Sequence, residues 1–203
     1  MLRSKLCSSM LLAAAALAIC LPLSAATVIQ MNLEDMVDRA DRIFRGTVLD
    51  VREETVQAGG GELPVVVYRV RVDEAFKGTF EEVKDLQIAE IKMLGKLKST
   101  DSSPVRRSAA LLDLPRLEVG QDYLLLTTAS SAIGLSTTVG LGQGRFEVQG
   151  KPGQETVVNG NQNAGLFNGM DATDFGAGVD SLPEGGPLPY NSVAAVIRNL
   201  VGQ

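Results

Sequence analysis

The side chains that most often perform catalysis or bind transition metals are missing from most of this chain. Histidine and tryptophan do not occur, and both cysteines, Cys7 and Cys20, lie in the first 26 residues. Residues 27–203 therefore offer no Ser-His-Asp or Cys-His arrangement and no histidine-bound zinc site. They also lack the Ser-x-x-Lys and Gly-x-Ser-x-Gly motifs of serine-based hydrolases. This composition excludes most nucleophilic and metal-assisted chemistry.

Carboxylates are the one class of catalytic group that remains abundant. The chain has 24 acidic residues, so a pair at the separation used by glycosidases is geometrically possible. However, three tyrosines and six phenylalanines are few for a cleft that stacks sugars. We therefore predict a protein that is not an enzyme and uses no cofactor, with a carboxylate-based hydrolase as the minority alternative.

Three aspartates, Asp171, Asp174 and Asp180, lie in a glycine-rich stretch near the C-terminus. Hard cations such as Ca²⁺ prefer oxygen ligands, but this spacing does not match a regular calcium loop. We keep these residues as weak calcium candidates, with solubility as the simpler role, and predict no other metal site.

The segment Gly140-Leu141-Gly142-Gln143-Gly144 has the composition of a phosphate-binding loop. Arg145 stands where a dinucleotide fingerprint needs its last glycine, and no Gly-Lys-Ser/Thr is present. The residues that follow alternate as a strand, so no helix N-terminus is expected to hold an anion. The pattern favours a tight bend or bulge between strands.

Residues 92–107 are basic in an otherwise acidic chain. Their five cations stand against one aspartate, and the stretch has no aromatic side chain for base stacking. We predict a solvated, mobile surface loop. If the loop binds, its partner would be an acidic protein, an anionic glycan or envelope lipid, and not nucleic acid.

The first 26 residues have the features of a secretory signal peptide. Arg3 and Lys5 precede an apolar run over residues 10–21, and Ser24-Ala25-Ala26 supply the small residues of a cleavage site. The apolar run is too short to span a bilayer, and no later run is longer. Cys20 allows a lipoprotein alternative, although the residue before it is large for that signal. We expect an exported bacterial protein, periplasmic or extracellular, with no transmembrane anchor.

Removing Arg3 and Lys5 from the 19 basic residues leaves 17 against 24 acidic residues, a net charge of −7. This charge favours solubility and repels nucleic acid and anionic lipid. Residues 27–203 suffice for a single domain with its own core, which must be stabilised by packing because no cysteine remains.

The hydrophobic pattern predicts a mainly β domain with a helix near each end. Asn32 is expected to cap a first helix over residues 33–40, and Asn191 or Ser192 a last helix that is apolar on one face. Residues 59–61 are expected to form a hairpin tip, and 159–187 a Gly/Asn-rich loop. Short apolar runs predict strands over residues 43–51, 65–72, 83–91, 122–128, 136–139, 145–148 and 155–158. Apolar and charged residues alternate over 68–72, which predicts one buried face, whereas the continuous apolar run over 123–126 predicts a strand buried on both faces.

Three segments together resemble a known group of proteins. They are Ala40-Asp41-Arg42-Ile43-Phe44-Arg45-Gly46-Thr47-Val48, Val72-Asp73-Glu74-Ala75-Phe76-Lys77-Gly78 and Val139-Gly140-Leu141-Gly142-Gln143-Gly144-Arg145-Phe146. In this order they resemble poorly characterised exported bacterial proteins, some of which are found beside matrixin-like metalloproteases. The resemblance covers most of residues 27–203 and implies a small OB-like Greek-key barrel. In outline that barrel is similar to the inhibitory domain of tissue inhibitors of metalloproteinases.

The chain departs from those inhibitors at one functional position. They chelate the protease zinc through an N-terminal cysteine, whereas this chain, if cleaved as expected, begins Thr27-Val28-Ile29. The α-amino group and carbonyl of Thr27 could still ligate a metal, with one chelating side chain fewer.

Together these observations predict an exported binding module that acts on a secreted or envelope protein, as an inhibitor or accessory of a secreted protease. One alternative is a module for envelope glycan, lipid or a small molecule, with a pocket lined by Phe146, Phe167 and Phe175. Another is a structural assembly factor. The expected contact surfaces are the N-terminal arm, which begins with residues 27–30, and the basic loop 92–107. The candidate residues in them are Thr27, Val28, Ile29, Lys96, Lys98, Arg106 and Arg107.

Overall fold

A computed structural model describes residues 29–97, 115–171 and 184–202. Several predictions fall outside these ranges. They are the signal peptide, Thr27 and Val28, most of the basic stretch with Lys98, Arg106 and Arg107, and the aspartates Asp174 and Asp180.

The described residues form one antiparallel sheet and two helices, so the mainly β prediction is confirmed. The sheet order is β3-β4-β2-β1-β5-β6-β7-β8, and it is open, with β3 and β8 at its ends. A 3₁₀ turn over Leu141–Gly144 precedes β6. The elements are α1 (Leu33–Arg39), β1 (Arg42–Ala58), β2 (Gly61–Lys77), β3 (Glu81–Val83), β4 (Leu86–Leu94), β5 (Asp122–Thr127), β6 (Arg145–Gln149), β7 (Thr156–Asn159), β8 (Leu188–Pro189) and α2 (Tyr190–Val201).

Strands β1 and β2 form one long hairpin of 17 residues on each side. Its tip is the predicted one: Gly59 and Gly60 have φ values of +58° and +80°, which suits a tight two-residue turn. Both strands run further than the apolar pattern indicates, because polar residues beyond Val51 continue the ladder to Ala58. Backbone pairing, unlike burial, needs no apolar side chain.

The sheet buries apolar side chains on both faces. The helix-side core includes Leu33, Met36, Ile43, Leu124, Leu126, Phe146, Val193 and Ile197. The opposite core includes Phe44, Val48, Val66, Tyr68, Val70, Ile91, Tyr123 and Leu125. Consecutive residues of β5 thus enter opposite cores, as the side-chain alternation of a strand requires. The prediction of a strand buried on both faces is confirmed.

The first helix begins as expected and the last one does not. The Asn32 side chain accepts a hydrogen bond from the Asp35 N–H (2.8 Å) and caps α1. Helix α2 instead begins at Tyr190, directly after β8, without a side-chain cap. The Tyr190 N–H donates to the Glu155 carbonyl (2.9 Å), so a neighbouring backbone group takes the place of the cap expected from Asn191 or Ser192.

Two further predictions need correction. Strand β4 continues to Leu94, so the predicted mobile loop over 92–107 begins too early: Met93 is buried in the core. Residues 136–139 form no regular strand and make one bridge, between Thr138 and Thr127. Next to that bridge, the Ser136 N–H donates to the Lys92 carbonyl of β4 (2.8 Å).

Replacing Gly46 with alanine is expected to destabilise the hairpin by about 2 kcal/mol, because β1 and β2 approach closely at a register shift. A methyl group at Gly46 would lie 2.1 Å from the Arg71 carbonyl oxygen and 2.9 Å from Val70 Cγ1. Urea unfolding measures the change. Gly61→Ala is the control, since a methyl group there meets nothing within 4 Å. Equal stability of the two variants would contradict this account.

Candidate protein-interaction site

The side chain of Gln143 bonds to the N-terminal arm, of which the structure describes Ile29–Met31. From here on, the arm means these three residues. Gln143 Oε1 accepts from the Met31 N–H (2.9 Å), and Nε2 donates to the Ile29 carbonyl (2.9 Å). A carboxamide carries the same donor and acceptor as a peptide group, so these bonds imitate one pair of an antiparallel ladder. Because Gln143 is only 2% exposed, water competes little for them.

The glycine-rich segment places Gln143 in this position. Gly140 has a φ of +58°, and a methyl group there would lie 2.5 Å from Met31 Cε. A methyl group at Gly144 would lie 2.6 Å from the Val139 carbonyl oxygen. The prediction of a tight bend before β6 is therefore confirmed, and the bend aims the Gln143 amide at the arm.

Two buried asparagines, Asn159 and Asn163, bond to each other, and Asn159 also bonds to the bend. Asn159 Nδ2 donates to the Gln143 carbonyl (3.1 Å), and Asn159 Oδ1 accepts from the Asn163 N–H (2.8 Å). Asn163 Oδ1 accepts from the Asn159 N–H (2.9 Å). Asn163 Nδ2 donates to the carbonyls of Val157 and Gly186, both at 2.8 Å. Such an interlocked network favours one arrangement of the backbone.

The loop 160–169 holds the arm from its other side. The Gln30 side chain donates to the Ala164 carbonyl (2.7 Å), and the Asn32 side chain donates to the Asn168 carbonyl (2.8 Å). The first residue of α1 also donates its N–H to a carbonyl of this loop (2.7 Å). The arm is therefore bonded both to the 140–144 bend and to the loop 160–169.

The side chain of Ile29 remains in solvent although its backbone is held. It is 82% exposed, the highest value among the exposed large apolar residues of the described chain. An apolar side chain on an ordered backbone can bind a partner without paying again for the ordering of its main chain. The arm predicted as a contact surface is therefore both exposed, through Ile29, and fixed in place.

Replacing Gln143 with alanine is expected to release the arm. The N–H of Met31 would lose its acceptor, so its hydrogen-exchange protection should fall about tenfold, with a loss of about 1.5 kcal/mol in the free energy of unfolding. Amide exchange followed by NMR measures the first, and urea unfolding the second.

Gln149→Ala serves as the matched control, because Gln149 is exposed and, within the described residues, its side-chain amide has a single hydrogen bond, to Glu147. Gln143→Glu should keep the acceptor for Met31 but place a carboxylate oxygen near the Ile29 carbonyl. Unchanged Met31 protection in Gln143→Ala would show that the clamp does not order the arm.

A second polar cluster centres on Arg45 of β1. Its guanidinium donates to Asp122 Oδ2 through Nε (2.9 Å) and Nη2 (2.7 Å), and to Glu155 Oε1 (3.4 Å). It also lies over the Tyr190 ring, 4.5 Å from its centroid. Tyr190 in turn donates its hydroxyl to Glu74. The cluster connects β1, β2, β5 and α2 through side chains.

Burial shifts the acid–base properties of this cluster. It raises the pKa of Asp122, although Arg45 acts in the opposite direction, and Asp122 Oδ1 is buried without a hydrogen-bond partner among the described residues. The pKa of Tyr190 is raised, most of all by burial and next by its hydrogen bond to Glu74. Burial alone would lower the pKa of Arg45, but the hydrogen bond and charge of Asp122, together with Tyr190 and Glu155, more than offset this, so the pKa is raised and the guanidinium stays charged. Asp122 and Glu155 thus share one cation, so with both carboxylates ionised these three groups carry a net charge of −1.

The remaining predicted site residues lie apart. Lys96 is exposed after the end of β4, on a different element from Ile29. Asp171 follows the loop 160–169, and the other two calcium candidates are outside the described ranges. Across residues 29–97, 115–171 and 184–202, no three His, Cys, Asp or Glu side chains are grouped to hold a metal ion. Phe146 is fully buried in the helix-side core and Phe167 packs partly buried against it, so Phe146 does not line a surface pocket as the ligand-binding alternative expects; Phe175 lies outside the described ranges.

No positioning role was predicted for Gln143, Asn159 and Asn163. A weak signal was present, because asparagines spaced by four in a Gly-rich segment commonly bond to nearby backbone groups. No such signal marks Gln143, since its partners in the arm lie more than a hundred residues away in the chain.

Comparison with known proteins gives no family assignment. No model of a known protein family matches the chain, and no curated protein matches its sequence. Among the residues described, neither helix is long and apolar enough to cross a membrane. The site geometry is therefore the basis for a functional proposal.

Proposed function

We propose that this protein is an exported, non-enzymatic binding module that contacts an exported protein partner through its N-terminal arm. The observation that carries the proposal is the arm itself. Its backbone is bonded by the Gln143 side chain, its Gln30 side chain is bonded to the loop 160–169, and Ile29 is 82% exposed. This combination suits a preorganised apolar anchor.

The frame that carries the arm is proposed to be an OB-like barrel. The outer edge of β4 makes two bonds that support closure beyond the regular ladders. Its Glu90 carbonyl accepts from Arg42 Nη2 at the start of β1 (3.0 Å), and its Lys92 carbonyl accepts from the Ser136 N–H (2.8 Å). Since Thr138 pairs with the end of β5, the segment around Ser136 would complete the ring.

The partner is proposed to be a secreted protease, with the protein as its inhibitor or accessory. This part of the proposal comes from the three-segment resemblance described above. The arm supports it because an extended, ordered segment with an exposed apolar side chain can enter a substrate cleft. Thr27, which would precede the arm in the exported chain, would offer its α-amino group and carbonyl for metal contact, with one chelating side chain fewer than in the inhibitors of the resemblance.

The experiment is a binding and inhibition assay with purified residues 27–203 and a secreted matrixin-like metalloprotease. Ile29→Asp should weaken binding by about 30-fold, because a charge replaces the apolar anchor. Val119→Asp is the matched control, since Val119 is also exposed, at 63%, but lies in the turn before β5.

Three outcomes separate the possibilities. Binding that depends on Ile29 and not on Val119 supports the proposal. Equal loss in both variants, or none in either, would remove the arm from the binding surface. Absence of binding to the protease, together with binding to purified envelope glycan or lipid vesicles, would favour the ligand-binding alternative.

A further inference from the structure

Two Asn-Gly pairs lie in the segment that supports the arm, and the structure holds them very differently. Asn159–Gly160 is held by hydrogen bonds. The Asn159 side chain donates through Nδ2 to the Gln143 carbonyl and accepts through Oδ1 from the Asn163 N–H, and the Gly160 N–H donates to the Gly142 carbonyl (2.9 Å). Asn168–Gly169 is exposed. Within the described ranges, neither the Asn168 side-chain amide nor the Gly169 N–H has a hydrogen-bond partner.

This difference concerns a reaction to which Asn-Gly sequences are prone. The glycine nitrogen attacks the asparagine Cγ, a new N–Cγ bond forms, and the Cγ–Nδ2 bond breaks. Ammonia leaves, taking up the proton released from the backbone nitrogen. Water then opens the cyclic imide at one of its two carbonyls and yields aspartate or isoaspartate. Water is the only co-reactant, and no group is oxidised or reduced.

We propose that Asn168–Gly169 is a site of spontaneous deamidation in the folded protein, and that Asn159–Gly160 is protected. The attack requires a free glycine nitrogen and a side chain able to rotate toward it. The pair Asn168–Gly169 meets both needs, because both residues are exposed and, among the described residues, no hydrogen bond holds the Gly169 N–H or the Asn168 side-chain amide. Asn159 would have to break its bonds to Gln143 and Asn163 before it could rotate, so its reaction waits for local opening.

Deamidation here would alter the support of the arm. The Asn168 carbonyl accepts from the side chain of Asn32, the residue that caps α1. Isoaspartate carries the main chain through the β-carbon and so displaces this carbonyl, while either product adds a negative charge. The expected effect on partner binding rests on the proposed function, whereas the deamidation itself does not depend on that function.

The test is peptide mass spectrometry of purified residues 27–203 after incubation in mildly alkaline buffer, native and denatured in parallel. In the native protein, Asn168 should be converted at least about tenfold faster than Asn159, because hydrogen bonds protect only the latter. In denaturant the two rates should be similar. Asn168→Gln is the matched variant, in which conversion at this position should be strongly slowed.

Comparable native rates, or faster conversion of Asn159, would overturn the proposal. Since this measurement needs no partner, its failure is distinct from failure of the proposed function. Conversion at Asn168 with unchanged binding to the protease would leave the modification site intact and remove only its effect on the arm.

Discussion

Replacing Asn163 with aspartate is expected to lower the free energy of unfolding by about 4 kcal/mol near neutral pH. Asn163 is 1% exposed and donates to the carbonyls of Val157 and Gly186. Aspartate keeps the size of the side chain and the acceptor for the Asn159 N–H, but places a carboxylate oxygen against two carbonyl oxygens. Asn163 has a φ of +57°, which both residues tolerate, so backbone strain does not contribute to the difference.

The loss should depend on pH in a defined direction. Burial and the two facing carbonyls favour the neutral acid, so the folded-state pKa of the new aspartate lies above the unfolded value of about 4. Such a group destabilises least below the unfolded pKa, and its cost grows as pH rises toward the folded pKa. Urea unfolding from acid to neutral pH measures the dependence. The loss should be smallest in acid and largest at neutral pH.

Asn161→Asp is the matched control for this experiment. It makes the same chemical change two residues away, at an exposed position of the same loop. We expect a change below about 0.5 kcal/mol at any pH in the series. If the two variants have equal stability, the buried asparagine network does not hold the loop, and the support assigned to the 140–144 bend is wrong.

Replacing Arg45 with methionine is expected to cost about 3 kcal/mol near neutral pH. The side chains of Arg45 and Asp122 are 21% and 26% exposed, so removing the cation leaves a partly buried carboxylate unpaired. The contact with the Tyr190 ring is lost as well. Methionine preserves most of the apolar stem, which confines the change to the charge and its hydrogen bonds.

This loss should also diminish on acidification. In the native protein, burial already raises the pKa of Asp122, so its contribution to stability is greatest below the unfolded pKa and declines as pH rises. Without Arg45 the folded pKa of Asp122 should rise further and steepen that decline. Once Asp122 and Glu155 are protonated, neither carries a negative charge with which Arg45 could form an ion pair. The difference between the native protein and the variant should therefore shrink as pH falls, and should become small only below the pKa of Glu155, which backbone hydrogen bonds and Arg45 lower from its ordinary value.

Arg52→Met provides the comparison for an exposed ion-pair network. Arg52 bonds to Glu54 (2.8 Å) and Glu90 (2.9 Å), but these side chains are 34–46% exposed and well solvated. Little loss of stability is expected, because exposed pairs gain little from Coulomb attraction. Similar losses in both variants would show that burial does not distinguish the Arg45 cluster.

Local patterns in the sequence were sufficient for much of the fold. The alternation of apolar side chains over residues 68–72 of β2 predicted one buried face there, and the continuous apolar run of β5 predicted two. Val65 and Val67 are buried as well, so β2 is covered on both faces around residues 65–68, which the alternation did not predict. The Asn32 cap and the Gly59–Gly60 turn were predicted because each depends on one or two residues and their own backbone. Strand ends were less well predicted, since β1 and β4 continue by backbone pairing through residues whose side chains give no apolar signal.

The candidate site was only half predictable. Ile29 was predicted to lie in an exposed arm from its position after the predicted signal peptide, and the bend at 140–144 was predicted from its glycines. The connection between them could not be read from the chain, because Met31 and Gln143 are 112 residues apart and a single side-chain amide leaves no periodicity. The same applies to α2, whose start is fixed by the Glu155 carbonyl instead of its own polar residues.

The sequence by itself thus determined the β class, the two helices, the acidic charge and the absence of histidine, tryptophan and, from residue 27 onward, cysteine. These properties are sums over residues or patterns a few residues long. The tertiary structure decided that Phe146 is core, that Arg45 gathers two carboxylates, and that Gln143 fixes the arm. Each of these depends on groups distant in the chain being brought within bonding distance, and only the folded backbone sets such distances.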